Sequence, residues 1–235
     1  MAGRMADQAV SFALNGQQWK NLTFLHWPIP PARIRPMLPE GLELDIYDGA
    51  AWIGITPFQM TYLGAPALTL PYVSTFTEVN VRTYVRAADG TNGIWFFSIE
   101  CSSLPVVAAL RVIGVPYFYA RTHSGRRGRV IRYLSRRPRG PAAIRVETEV
   151  GNQIQTPNRL LDLLTGRWNA YTHRAGRLWR VPIEHQPWPL YEARARVQAD
   201  GLLRANGLCA TYGEPLAHFS PGVQVRLAGP QPVRV

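Results

Sequence analysis

Lysine is nearly absent from this chain: Lys20 is the only one among 26 basic residues, and every other cation is arginine. A surplus made of arginine alone reads as a compositional bias more than as a phosphate-binding face. Acidic residues are also scarce, 15 against 26, which leaves a net charge of +11 and a pI near 10.3. Such a balance raises nucleic acid as a partner. The densest cluster, Arg121, Arg126, Arg127, Arg129, Arg132, Arg136, Arg137 and Arg139, has only Tyr133 interleaved and matches no nucleic-acid module. It is read as a solvated hairpin, with nucleic-acid or acidic-surface binding through 121–139 as the rival function.

There are two cysteines, Cys101 and Cys209, far apart and in no metal-like spacing. They support neither a disulfide framework nor a zinc site. His26, His123, His173, His185 and His218 are scattered, so no two-histidine metal motif is formed, and no metal or cofactor is expected. Ser124 and Ser220 lie in no nucleophile elbow. No run of about 18 apolar residues predicts a membrane-spanning helix, and residues 1–20 carry no convincing signal-peptide cleavage site. The expectation is a cytoplasmic protein with no membrane partner; a homo-oligomer is left open.

What the chain does have is hydrophobic content, 46% over 235 residues, enough for one full core. The expected organisation is an extension over 1–21 and a single domain over 22–235. The most informative stretch is Phe76 to Val85. Successive strand residues point to opposite faces, so Val79, Val81, Thr83 and Val85 share one face and Glu78, Asn80, Arg82 and Tyr84 the other. A turn then leads to Ile94–Cys101, which is apolar on both faces and is therefore covered on both. The polar row beside it is expected to face an enclosed space.

Further strands are expected at Leu22–Trp27, Leu42–Tyr47, Ala50–Tyr62, Tyr117 onward, Val130–Leu134, Ala142–Val150, Trp168–Arg174, Leu178–Glu184 and Leu190–Ala199, with a closing segment around His218. Asp48-Gly49 is a hairpin signal that pairs Leu42–Tyr47 with Ala50–Tyr62, and Pro57 calls for a bulge or an edge. Short helices are predicted over Pro31–Leu38, over Leu104–Ile113 after Ser103, and over Gln155–Leu164 with Thr156 as N-cap. Leu63–Tyr72 reads as a loop long enough for a lid. Many short strands with regular turns indicate a mainly β sandwich or barrel.

Several motifs occur in order: Phe24 to Pro28, Leu38 to Leu44, Asp48 to Trp52, Phe76 to Val85, Gly114 to Phe118, Leu164 to Trp168, His185 to Leu190 and His218 to Ser220. Together they resemble the YqjF-like, or DUF2071, family, which is similar to the acetoacetate decarboxylase superfamily. The resemblance implies a closed antiparallel β-barrel with a few flanking helices around an interior pocket. It also implies that Glu78, in the aromatic-x-Glu strand motif begun by Phe76, faces that pocket. In the decarboxylases a Gly-aromatic-Pro motif precedes two lysines, the first of which forms a Schiff base. Here Gly114-Val115-Pro116 is followed by Tyr117 and Phe118, so an imine mechanism is not expected.

The resulting candidates are Glu78 as acid/base, Tyr117 at the vacated lysine position, and Arg82, Asn80, Tyr84, His26 and Phe118 as substrate-binding residues. An enclosed arginine suits a carboxylate, and an enclosed carboxyl titrates nearer neutrality. The function expected is binding of a small acidic or keto compound. Chemistry, if present, is non-covalent acid/base work on a keto acid, enol or lactone. The competing reading is a buried network that fixes strand register.

Overall fold

The computed structural model describes residues 3–64, 75–208 and 213–233. The loop expected over Leu63–Tyr72 falls outside them beyond Gly64. Among the described residues the chain is mainly β. In order come β1 (Asn15–Ile29), α1 (Pro31–Ile34), β2 (Leu42–Leu44), β3 (Ala51–Gly64), β4 (Thr75–Ala87) and β5 (Asn92–Cys101). Then follow α2 (Leu104–Val112), β6 (Tyr117–Tyr119), β7 (Arg121–Arg127), β8 (Val130–Arg136), β9 (Ala143–Gln153) and α3 (Arg159–Thr165). The chain continues through β10 (Asn169–Arg174), β11 (Arg177–His185), β12 (Tyr191–Gln198), α4 (Asp200–Ala205), β13 (Leu216–Leu227) and β14 (Gln231–Pro232).

Hydrogen-bonded neighbours run β11-β10-β5-β4-β3-β1-β13, and an additional β11–β13 pairing returns the path to its start. From β13 the sheet continues through β12, β9 and β8 to β7. The sheet is not purely antiparallel, because β5 pairs in parallel with β10 and with β6. The step from β5 to β6 crosses over through α2, as a parallel neighbour requires.

Alternate residues of β1, β3 and β4 feed two different cores. Leu25, Trp27, Ile53, Ile55, Val79 and Val81 pack with Ile131, Tyr133, Val146, Leu202 and Leu203. Phe24, Phe58 and Phe76 instead join Ile99, Tyr117, Leu161, Trp188 and Val225. These central strands are thus covered on both sides, and the polar row of β4 shares the second core's face.

Four expectations need correction. The Asp48-Gly49 turn forms, with φ of 50° and 73°, but closes a single Tyr47–Ala50 bridge. β2 pairs with β4 and not with β3, because β1 and β4 already occupy both edges of β3. The α3 N-cap is Asn158 and not Thr156: the Leu161 amide donates to Asn158 Oδ1 at 2.9 Å, satisfying a first-turn donor. Ser103 makes no side-chain cap at α2. The bulge expected at Pro57 appears in the partner strand, where the β1–β3 register shifts between Lys20 and Leu25 around Asn21, whose φ is 50°.

The arginine hairpin is tied to the body at Arg137, whose guanidinium donates twice to Glu100, at 2.9 and 2.6 Å. The same group lies 3.6 Å from the Phe118 ring centroid. Glu100 is only 1% exposed, so removing its partner strands a buried charge. Arg137→Ala should cost about 3 kcal/mol in urea unfolding at pH 7, with Arg137→Met combined with Glu100→Met recovering most of it.

Candidate functional site

Strand register assembles the site. His26 pairs with Gly54, and Gly54 with Arg82, across β1, β3 and β4. Thr56 lies opposite Asn80, Phe58 opposite Glu78, and Phe24 opposite His218 on β13. Partners in register share a face, so one surface carries His26, His218, Thr56, Glu78, Asn80, Arg82 and Tyr84 with Phe24 and Phe58 between them. All are buried. Glycine at 54 is required by closeness: a Cβ there would lie 2.7 Å from the Tyr84 hydroxyl and 3.3 Å from Arg82 Cγ.

Tyr117 joins this face from β6, donating its hydroxyl to Glu78 Oε2 at 2.9 Å. The Asn80 side chain also bonds the Glu78 carboxyl, yet burial outweighs both bonds and pushes its pKa up to about 8. At neutral pH Glu78 is therefore a carboxylic acid. Burial and then Glu78 itself drive Tyr117 well above the ordinary phenol value. Burial, then Arg82 and His218, hold His26 well below the ordinary imidazole value, and burial takes His218 to about 4. Both imidazoles are neutral at pH 7.

Against these neutral groups stands Arg82, 8% exposed. It forms no ion pair among the described residues, packs 5.8 Å from the ring centroids of Phe24 and Tyr84, and leaves Nε without an acceptor. Thr56 Oγ1, Asn80 Oδ1 and Nδ1 of His26 and His218 are buried and unpartnered as well. Buried polar groups are ordinarily paired, and here several without a partner among the described residues lie on one face.

The structure brings together Glu78, Asn80, Arg82, Tyr84, His26 and Tyr117. Phe118 is a correction: it pairs beside Glu100 on the opposite face of β6, where Arg137 and Arg111 cover its ring. One residue's step along a strand reverses the face. Thr56 and His218 were not candidates from sequence, since only the β3–β4 and β1–β13 registers bring them here. Lys20 is exposed and lines an open cleft of about 620 Å³ with Trp19, Gln186 and Trp188. No three metal-ligating side chains gather among the described residues, and no described helix is long and apolar enough to cross a membrane.

Among solved structures, the enduracididine biosynthesis enzyme MppR, complexed with the condensation product of pyruvate and imidazole 4-carboxaldehyde, superposes with a TM-score of 0.69. It is 17% identical, and the match covers 96% of this chain and 92% of MppR. An acetoacetate decarboxylase-like enzyme from Sphingomonas wittichii RW1 gives the same TM-score at 17% identity, over 96% and 94% of the two chains. At these identities the likeness is one of fold. In sequence, the uncharacterized protein YqjF of Bacillus subtilis is 34% identical over 209 residues, 87% of this chain and 86% of YqjF. Residues 16–224 match the DUF2071 family of uncharacterized conserved proteins. The chain belongs to the DUF2071 family.

Proposed function

We propose that the returning strand path is a closed barrel whose interior binds a small organic acid, with Arg82 as the carboxylate anchor and Glu78 as a proton donor and acceptor. The observation that carries this reading is the buried Arg82 guanidinium, which makes no ion pair among the described residues and leaves Nε without an acceptor. A cation taken out of water without a partner is costly, and an anionic ligand removes that cost. Asn80, Tyr84 and His26 line the same site, and Tyr117 orients the Glu78 carboxyl.

With a pKa near 8, Glu78 is poised for proton exchange around neutrality. The substrate class is a keto acid, enol or lactone, handled without a covalent amine. A relative in fold, MppR, is solved with a pyruvate-derived compound, which makes pyruvate a sensible probe. In D₂O the wild-type protein should catalyse deuterium exchange into the pyruvate methyl group, read by NMR. Glu78→Gln should lose that exchange while still binding pyruvate, and borohydride treatment should add no mass to the protein. Undiminished exchange in Glu78→Gln removes the acid/base role, and a trapped adduct removes the non-covalent mechanism.

A further inference from the structure

The arginine hairpin is part of a larger surface. β7, β8, β9 and β12 pair side by side beyond the returning strand path, and Ile131, Tyr133, Ile144 and Val146 on their inner side share one core with Val79 and Val81. The other side faces solvent. Alternate positions over 121–127, 130–136, 143–149 and 194–198 lie on it together by register, and most of them are exposed. These positions carry seven arginines and two glutamates.

The charges on this face are not balanced. Glu147 is shared by Arg132 at 2.6 Å and Arg196 at 4.0 Å, whereas Arg121, Arg127, Arg136, Arg145 and Arg194 form no ion pair among the described residues. Arg121 and Arg136 are cross-strand partners, and like charges set directly opposite destabilise a sheet. With Arg145 they line an open cleft of about 610 Å³ whose lining holds one acidic residue, Asp200. A compositional bias explains arginine in place of lysine; it does not explain an unneutralised cluster at one end of a sheet.

We propose that this face binds double-stranded DNA through the phosphate backbone, without regard to sequence. The arginine fork matches phosphate oxygens. The outer strands β7 and β12 are three strand spacings apart, about 14 Å, comparable with the roughly 12 Å major groove, so arginines on the two edges can meet the phosphates that border it. No aromatic side chain stands among these positions, which leaves single strands without a stacking platform. Leu134 is the one large hydrophobic residue exposed there, too little for the apolar centre of a protein interface. The surface is separate from the interior face and does not rest on the organic-acid reading.

The test is fluorescence anisotropy of a labelled duplex of about 20 base pairs and arbitrary sequence, titrated with the full chain from 50 to 200 mM NaCl. Five arginines neutralising phosphates give a slope of log K against log salt of about −4.5, a loss of about 500-fold across that range. The triple variant Arg121→Gln, Arg136→Gln, Arg145→Gln should make the slope shallower by about 2.7 and leave the unliganded melting temperature no lower. A charge-matched variant at exposed positions elsewhere, Arg159→Gln, Arg174→Gln, Arg177→Gln, should keep the wild-type slope. No binding at 50 mM NaCl, or equal losses in the two variants, overturns the proposal. Polyglutamate that displaces the duplex as well as unlabelled duplex does, charge for charge, also overturns it and makes the partner an acidic protein surface.

Discussion

Glu78→Gln should make the protein markedly more resistant to alkali. In the folded chain burial holds the Glu78 carboxyl protonated to about pH 8, whereas an unfolded glutamate releases its proton near 4.5. Between those values the folded state binds the extra proton, so rising pH favours unfolding. The penalty is nil below the unfolded pKa, accumulates from about 4.5 to 8 and is constant above. A gap of that width corresponds to at most about 5 kcal/mol, or about 10 °C or more in melting temperature for a chain this size. Glutamine still accepts from Tyr117 and carries no charge. Melting curves at pH 5 should therefore nearly coincide for the two proteins, and at pH 9 the variant should lie well above wild type. Parallel curves across the range would mean that Glu78 is not held neutral.

Arg82→Met should yield a protein no less stable than the parent. Methionine fills most of the same volume and relieves a buried cation that has no ion partner among the described residues, a gain of about 1–3 kcal/mol. Against this stands the loss of the ring contacts with Phe24 and Tyr84, about 1 kcal/mol. A side chain kept for ligand binding costs the fold stability; one kept to fix strand register supports it. A loss of 3 kcal/mol or more in urea unfolding would assign Arg82 to the architecture.

Much of this is written in the period of β4. A strict alternation of two is local, so the burial of Glu78, Asn80, Arg82 and Tyr84 follows from β4 and the doubly apolar β5 without any long-range information. Pairing is where local signals mislead. Asp48-Gly49 is a sound turn signal, yet the strand it offers to β3 finds both edges taken and goes to β4. Tyr117 meets Glu78 only because β6 lies parallel to β5, and Phe118, one position on, faces away. A nitrogen left without an acceptor is a property of the assembled neighbourhood, so no spacing announces it.

The most direct measurement is thermal stabilisation at pH 7 by a panel of carboxylic acids, keto acids and lactones, with Arg82→Met beside wild type. A ligand at about 100 times its Kd contributes roughly 2.7 kcal/mol, about 5–10 °C for a domain of this size. An interior acid site predicts that at least one organic acid gives such a shift to wild type and none to Arg82→Met. No shift with any acid, together with a strongly destabilised Arg82→Met, would contradict it and make the polar row of β4 part of the scaffold.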